Sequence, residues 1–473
     1  SIGLEPREGY REPVLSQYAP GCFVNAVGLT NPGAHKSAEI MAELKVPADR
    51  FLLTSIFGGS IAEFVEVAKI LAPVSDGLEL NLSCPHAKGY GMAMGQDPDV
   101  VREITAAVKA VVDIPVIPKL TPNTPDIAEI AEAAIAGGAD GLCAINTLGP
   151  GYTSAHGHAV LSNGAGGMSG KGVLPIGLKC VREVAAVADC PIIGCGGVSS
   201  ADDVRAYLDA GASIVGVGSS LIGLTTAEIG AYFTTLAADL EGGQDRAEAH
   251  IRYDIDMRFQ PVTLVENKRV CEDITILTFD RKINVQAGEF IFLWVPGVGE
   301  KPFSALTDDP FSLVVIDVGF FTHALMDLPV GTESYVRGPH GIPVTPAEDA
   351  RVMAVAGGTG LAAVYQIARD FGNAEVFAGA RSAERLYFLE ECRHVADVHV
   401  ATDDGSAGYH GVVTELLRQR LREMSPQERE RLVFYNCGPE PMVHAAIAVQ
   451  REFCRPQQIF SAIDYLTKCG VGI

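Results

Sequence analysis

Seven short apolar runs, each followed by a helical stretch, recur through the first half of the chain, and this rhythm limits the fold more than any other feature. The runs are Phe23–Leu29, Phe51–Phe57, Leu78–Leu82, Val116–Leu120, Gly141–Thr147, Pro191–Gly196 and Ile214–Gly218. They are rich in Val, Ile and Leu, as parallel strands buried on both faces require. Amphipathic segments such as Asp99–Val112, Asp126–Ile135, Pro175–Ala188 and Ser200–Ala210 lie between them, with helix-start chemistry at Asp97-Pro98, Thr124-Pro125 and Ser199-Ser200. The repetition predicts an α/β fold in which residues 1–240 form a (β/α)8 TIM barrel with its first unit upstream of Ser1. Counted so, Pro191–Gly196 is strand 7 and Ile214–Gly218 is strand 8. The turns after them, Gly196-Gly197 and Gly218-Ser219, stand where such barrels hold phosphate groups. Glycine there lets backbone N–H groups close on an anion.

After Leu240 the texture changes. Residues 241–256 are polar and read as a linker. Over 257–348, Val262–Val265, Ile274–Asp280, Glu289–Val295 and Phe311–Ile316 alternate or are β-rich, which predicts a small antiparallel β-barrel. Residues 349–450 return to buried strands at Arg351–Ala356, Glu375–Ala378, Asp397–Ala401 and Leu432–Cys437. Glycine turns follow the first and last of these, at Gly357-Gly358-Thr359-Gly360 and Gly438. This is a doubly wound nucleotide-binding layout, with ligand at the carboxyl ends of the strands. Residues 451–473 form a last segment.

Lys and Arg number 36 against 58 Asp and Glu, a net charge of -22. That balance argues against a nucleic-acid binder or a polybasic membrane anchor. No apolar span reaches the roughly 20 residues of a transmembrane helix, and no secretory signal opens the chain. Eleven cysteines without disulfide-scaffold spacing point to a reducing cytoplasm. The first residue is Ser and the last lies inside a motif, so further residues are expected at both ends.

The segment Asn81-Leu82-Ser83-Cys84-Pro85-His86 falls at the carboxyl end of strand 4, which faces the active site in a barrel enzyme. Cys84 suits a general acid or base, because a thiol needs only a modest shift to titrate near neutral pH. Cys143, Cys180, Cys190 and Cys195 read as buried structural thiols. Asn25, Asn81 and Asn146 occupy equivalent strand ends. Their amides match a planar ring that alternates N–H and C=O. Lys119, inside an apolar strand, needs a partner. A flavin that turns negative on reduction and a buried carboxylate are the two candidates.

Together these motifs resemble dihydroorotate dehydrogenase of the class 1B type. The likeness runs from Ser1 to about Leu236 and rests on Asn25–Gly33, Asn81–Pro85, Lys119–Asn123, Ile145-Asn146-Thr147, Gly167-Met168-Ser169-Gly170 and Gly194–Val198. It implies FMN at the barrel mouth, held by Lys119, Asn123, Ser169, Gly170, Gly196, Gly197, Gly218 and Ser219. The pyrimidine substrate would meet Asn25, Gly28, Leu29, Asn81, His86, Asn146 and Thr147. Cys84 would take the C5 proton of dihydroorotate. The second half, from about Pro261, resembles the family's ferredoxin-reductase-like electron-transfer subunit, fused here on one chain. Lys301-Pro302-Phe303-Ser304 matches an FAD-binding motif, and Gly319–Thr322, including Gly319 and Thr322, the stretch beside the FAD pyrophosphate. Gly357, Gly358, Thr359, Gly360, Cys437 and Gly438 match nicotinamide-nucleotide motifs for NAD or NADP. Cys469 matches the first of the four thiolates of a [2Fe–2S] cluster, the other ligands being outside the chain. The resemblance further implies a homodimer formed through the barrel.

Four features depart from the family pattern. His86 stands where an asparagine is usual. Lys301 replaces an arginine and loses its bidentate fork. The expected lysine before Ser1 is outside the chain, and the loop Leu148–Tyr152 is unlike the commonest orotate enzymes. Asn81–His86 followed by Gly95-Gln96-Asp97-Pro98 also resembles dihydropyrimidine dehydrogenase, which makes NAD(P)H-dependent reduction of uracil, thymine or a related cyclic amide the alternative. Met94, at the place of that family's catalytic cysteine, cannot transfer a proton and opposes it. A non-catalytic electron carrier is the third reading.

Overall fold

A computed structural model describes residues 1–82, 94–242, 256–347, 349–358, 360–462 and 467–469. The chain divides into two compact units, 1–258 and 259–470.

In the first unit six parallel strands form one sheet, in the order Ile214–Gly216, Ile192–Cys195, Leu142–Ala144, Val116–Leu120, Gly77–Asn81 and Leu53–Ile56. Each strand pairs with the one before it in sequence, so every crossover steps one place in the same direction and the sheet curls as a half-barrel. Ile2 makes a parallel bridge to Ile56 at one edge. Helices cover the outer face. Asp97 caps Pro98–Lys109 by accepting from the N–H groups of Asp99 and Val100. Asp126, two residues beyond the predicted Thr124-Pro125 start, caps Ile127–Ala136. Ser200 and Asp203 form a reciprocal capping box on Ala201–Asp209. Between sheet and helices lie Phe64, Val67, Leu78, Leu80, Ile104, Val108, Val116 and Val181, all buried. Each such side chain contributes about 1.5–3 kcal/mol over exposure.

One predicted strand takes another role. Phe23–Leu29 was expected in the parallel sheet. Instead Cys22–Asn25 lies in a four-stranded antiparallel sheet, between Leu15–Ala19 and Gly166–Gly170, with Leu148–Gly151 at the far side. The reason is local. Gly21, at φ 66°, turns the chain tightly enough for Leu15–Ala19 to fold back on it, and positive φ at Gly28 and Leu29 ends the extended run. A short apolar run does not by itself declare its sheet.

The second unit opens with seven antiparallel strands, in the order Gly299–Phe303, Phe290–Val295, Glu333–His340, Gln260–Cys271, Ile274–Phe279, Phe311–Ile316 and Ala305–Asp308. Leu264, Leu277, Phe279, Ile291, Leu293, Phe311 and Val315 fill its core. A parallel sheet follows, ordered Tyr409–His410, Asp397–Thr402, Glu375–Ala380, Arg351–Gly357, Leu432–Cys437 and Ile459–Ser461. The chain builds outward from Arg351–Gly357 to one side, then returns to the other. The point of reversal lies between Arg351–Gly357 and Leu432–Cys437, where doubly wound sheets open a ligand crevice.

Candidate functional site

Side chains alternate along a strand, and in the first unit this puts polar groups on the inner face of the half-barrel. On Gly77–Asn81 the half-buried positions are Glu79 and Asn81. On Val116–Leu120 they are Ile117 and Lys119. Register then sets Asn81 beside Lys119, and Lys119 beside Cys143. The result is a cavity of about 310 Å³ at the carboxyl ends of the strands. It is lined by Glu79, Lys119, Cys143, Cys195, Asn146 and Thr147, with the turns Ser169-Gly170, Gly196-Gly197 and Gly218-Ser219.

Electrostatics on the cavity wall centre on Lys119. Its ammonium lies 3.5 Å from Glu79 Oε2. Burial works against the charge, but Cys143, Cys195 and Glu79 outweigh it, and the lysine is held charged. The sulfurs of Cys143 and Cys195 are 3.8 Å apart. Their hydrogen bond draws the Cys195 thiol down to about 7, with help from Lys119 against burial. The same bond, with burial, pushes Cys143 up.

Asn81 and Asn146 are hydrogen-bonded to each other. Asn146 Nδ2 donates to Asn81 Oδ1 at 3.1 Å, and Asn81 Nδ2 donates to Ser1 Oγ at 2.8 Å. Asn146 Oδ1 accepts from the Thr147 N–H at 2.8 Å. Asn123 donates to the Thr147 carbonyl at 2.9 Å and accepts from the Gly149 N–H at 2.8 Å, which fixes the loop after the strand. Asn25 donates to the Gly167 carbonyl at 3.4 Å. A Cβ on Gly167 would stand 2.1 Å from Thr147 Oγ1, so the antiparallel sheet packs directly on this loop. Gly28 lies against Tyr10, where a Cβ would be 2.7 Å from the Tyr10 nitrogen, and Leu29 follows at φ 62°. Cys84 and His86 lie outside the described residues. The flanking Leu82 and Gly95 meet closely, since a Cβ on Gly95 would stand 2.5 Å from the Leu82 carbonyl oxygen.

In the second unit the Gly357–Gly360 and Cys437-Gly438 turns meet, and Phe303 lies near Phe321. Lys301, Pro302 and Phe303 end the strand Gly299–Phe303, followed by Ser304. The Phe303 ring lies 6.4 Å from that of Phe321, in the helix that Gly319 and Thr322 open. Thr322 Oγ1 accepts from the Gly319 N–H at 3.0 Å. At the reversal point of the parallel sheet, a Cβ on Gly360 would stand 2.1 Å from the Cys437 carbonyl oxygen, and one on Gly438 would stand 2.8 Å from the Gly357 nitrogen. Gly358 takes φ 55° between them. Thr359 is outside the described residues. Cys469 is buried, and its carbonyl accepts from Arg337 Nη1 at 2.8 Å. Arg337 is itself held by a bidentate pair with buried Glu300 at 2.6 and 2.9 Å. A larger hollow of about 600 Å³, beside Asn284–Ala287 and Arg369–Phe371, holds none of the expected residues.

Sequence reasoning missed Glu79, and it set aside Cys143 and Cys195 as structural. Glu79 carried a readable signal, being two residues before Asn81 on the same strand face. The pairing of the two thiols carried none. Of the two partners expected for Lys119, the structure shows the carboxylate, Glu79 at 3.5 Å.

The dihydroorotate dehydrogenase family profile matches residues 1–228, and that of the oxidoreductase NAD-binding domain matches residues 354–447. The chain is 47% identical over 224 residues to the dihydroorotate dehydrogenase B (NAD(+)) catalytic subunit of Pyrococcus horikoshii, a match covering 47% of this chain and 72% of the relative. The chain belongs to the dihydroorotate dehydrogenase family. The corresponding subunit of Methanosarcina mazei is 46% identical over 223 residues, 47% of this chain and 71% of its own. Among solved structures, an NADH-dependent reduced ferredoxin–NADP oxidoreductase is similar over 45% of this chain and 79% of its own, at 26% identity and a TM-score of 0.40. This dihydroorotate dehydrogenase-family chain is thus an oxidoreductase whose family domain is joined to an NAD-binding domain.

The first-unit residues fit a phosphorylated flavin. A half-buried ammonium, Lys119, faces the cavity. Gly196 and Gly197 take φ 124° and 75°, and a Cβ on Gly218 would meet nothing within 4 Å, so backbone there opens onto the hollow. Cys469 is the one expected ligand of a [2Fe–2S] cluster among the described residues. Four thiolates are required, and among the described residues no group of three or more His, Cys, Asp or Glu could hold a metal. No described helix is long and apolar enough to cross a membrane.

Proposed function

We propose that the chain oxidises dihydroorotate to orotate in the first unit and passes the electrons to NAD+ through the second. The observation that carries this reading is the cavity that gathers Lys119, Asn146, Thr147 and the turns at Gly170, Gly197 and Gly218 in a chain of this family. Lys119, Asn123, Ser169, Gly170, Gly196, Gly197, Gly218 and Ser219 would hold FMN. Bound FMN supplies the acceptor for the hydride that leaves C6 of the substrate. Asn25, Asn81, Asn146 and Thr147, with Gly28, Leu29 and His86, hold the pyrimidine by its amide edge and exclude water. Cys84 takes the C5 proton. Proton and hydride leave one C–C bond, so base and acceptor must flank the ring.

In the second unit Lys301–Ser304 with Gly319 and Thr322 would hold FAD. Gly357–Gly360 with Cys437 and Gly438 would hold the nicotinamide nucleotide. Cys469 would give one thiolate to a [2Fe–2S] carrier. Residues 1–240 would form the FMN domain and 257–348 and 349–450 the FAD and nucleotide domains, with the barrel as the dimer surface and the cytoplasm as the setting.

The test is anaerobic titration of the purified holoprotein, followed in the visible spectrum. Dihydroorotate should bleach the flavin band and NAD+ should restore it. Bleaching by NADH alone, with uracil rather than orotate reoxidising it, would transfer the assignment to pyrimidine reduction, the reading His86 favours.

A further inference from the structure

Lys119 is the cation on the cavity wall, and its charge is not unopposed. Glu79 lies 3.5 Å away on the neighbouring strand, lines the same cavity, and keeps only 12% of its side-chain surface exposed. Two thiols, Cys143 and Cys195, complete the surroundings. A ring that gains negative charge on reduction therefore meets an ammonium already paired with a carboxylate. In a part-buried site such charges interact over several ångströms with little screening.

From this geometry we infer that Glu79 is a positioning residue that sets the reduction potential of the flavin, holding it low by pairing with Lys119. The carboxylate fixes where the ammonium points and offsets its attraction for the reduced ring. A lower potential makes the reduced flavin a stronger donor, which suits a chain whose second unit delivers electrons to a nicotinamide. This inference rests on the proposal that the cavity holds FMN.

The test measures the midpoint potential of the bound flavin in the holoprotein by dye-coupled reductive titration, for the wild type, Glu79→Gln and Glu79→Asp. Glu79→Gln should raise the potential by about 30 mV or more, lowering the oxidised-to-reduced ratio at fixed poise at least tenfold for a two-electron couple. Glu79→Asp keeps the charge and withdraws it by one methylene. It should shift the potential the same way by less, and it gives the sign of the effect should the glutamine variant lose its flavin. Lys119→Met should move the potential in the opposite direction where flavin is retained. An unchanged or lowered potential in the flavin-retaining Glu79 variants overturns the inference. A wild-type protein without FMN in the first unit overturns instead the reading on which it rests, and chromatography of the flavin released on denaturation, which separates FMN from FAD, shows that before any titration.

Discussion

A thiol gives up its proton at neutral pH only where the surroundings favour the anion, and a catalytic acid or base gains most when it titrates near the working pH. Cys84 is the residue assigned that task. Cys84→Ser should lower kcat by about 10²–10⁴-fold while leaving the flavin spectrum intact, as steady-state kinetics and absorbance on the same preparation would show. The Asn81–His86 motif is contiguous in the sequence, and Cys84 lies outside the described residues. Glu79 and the Cys143–Cys195 contact were not legible, because each depends on which strand lies next to which, and at what register.

Among the elements, Ala201–Asp209 shows how a charge fixes a helix start. Burial raises the Asp203 carboxyl's affinity for its proton, but Lys171, with the N–H and hydroxyl of Ser199, outweighs it and holds the group below its usual range. A carboxylate depressed in the folded state adds stability that is full above its unfolded value of about 3.9 and fades as pH falls through the lower folded value. Asp203→Asn should therefore cost about 2 kcal/mol at neutral pH, and the gap from wild type should narrow below about pH 4 in chemical denaturation. At the nucleotide crevice, Gly360→Ala would drive a methyl against the Cys437 carbonyl, 2.1 Å away. It should weaken NAD(H) binding at least tenfold, by about 1.4 kcal/mol, in calorimetric titration with the first unit's flavin unchanged. Most strands were visible in the sequence as Val- and Ile-rich runs bounded by turns. Cys22–Asn25 has the right composition, but the Gly21 turn assigns it to an antiparallel sheet whose other strands, Leu15–Ala19, Leu148–Gly151 and Gly166–Gly170, were not among the expected runs.

At the scale of the molecule, each unit has its own core, and the proposed half-reactions divide the same way. Lys119→Met should abolish or sharply reduce dihydroorotate-dependent reduction of NAD+. It should leave NADH-to-ferricyanide electron transfer by the second unit within about twofold of wild type, a change under 0.5 kcal/mol in the barrier. Parallel assays of the two reactions would show it. The net charge of -22 favours small-molecule traffic over binding to polyanions.

The sequence by itself determined the parallel strands from Phe51 onward with the helices after them, the change from α/β to antiparallel texture, and the motifs at strand ends, because periodicity and turn chemistry act between near neighbours. Only the tertiary structure decided that Glu79 faces Lys119, that two thiols meet beside them, and that Gly357, Gly360 and Gly438 share one crevice. Those contacts join residues tens of positions apart, and strand register, which brings them together, is set by packing of the whole sheet.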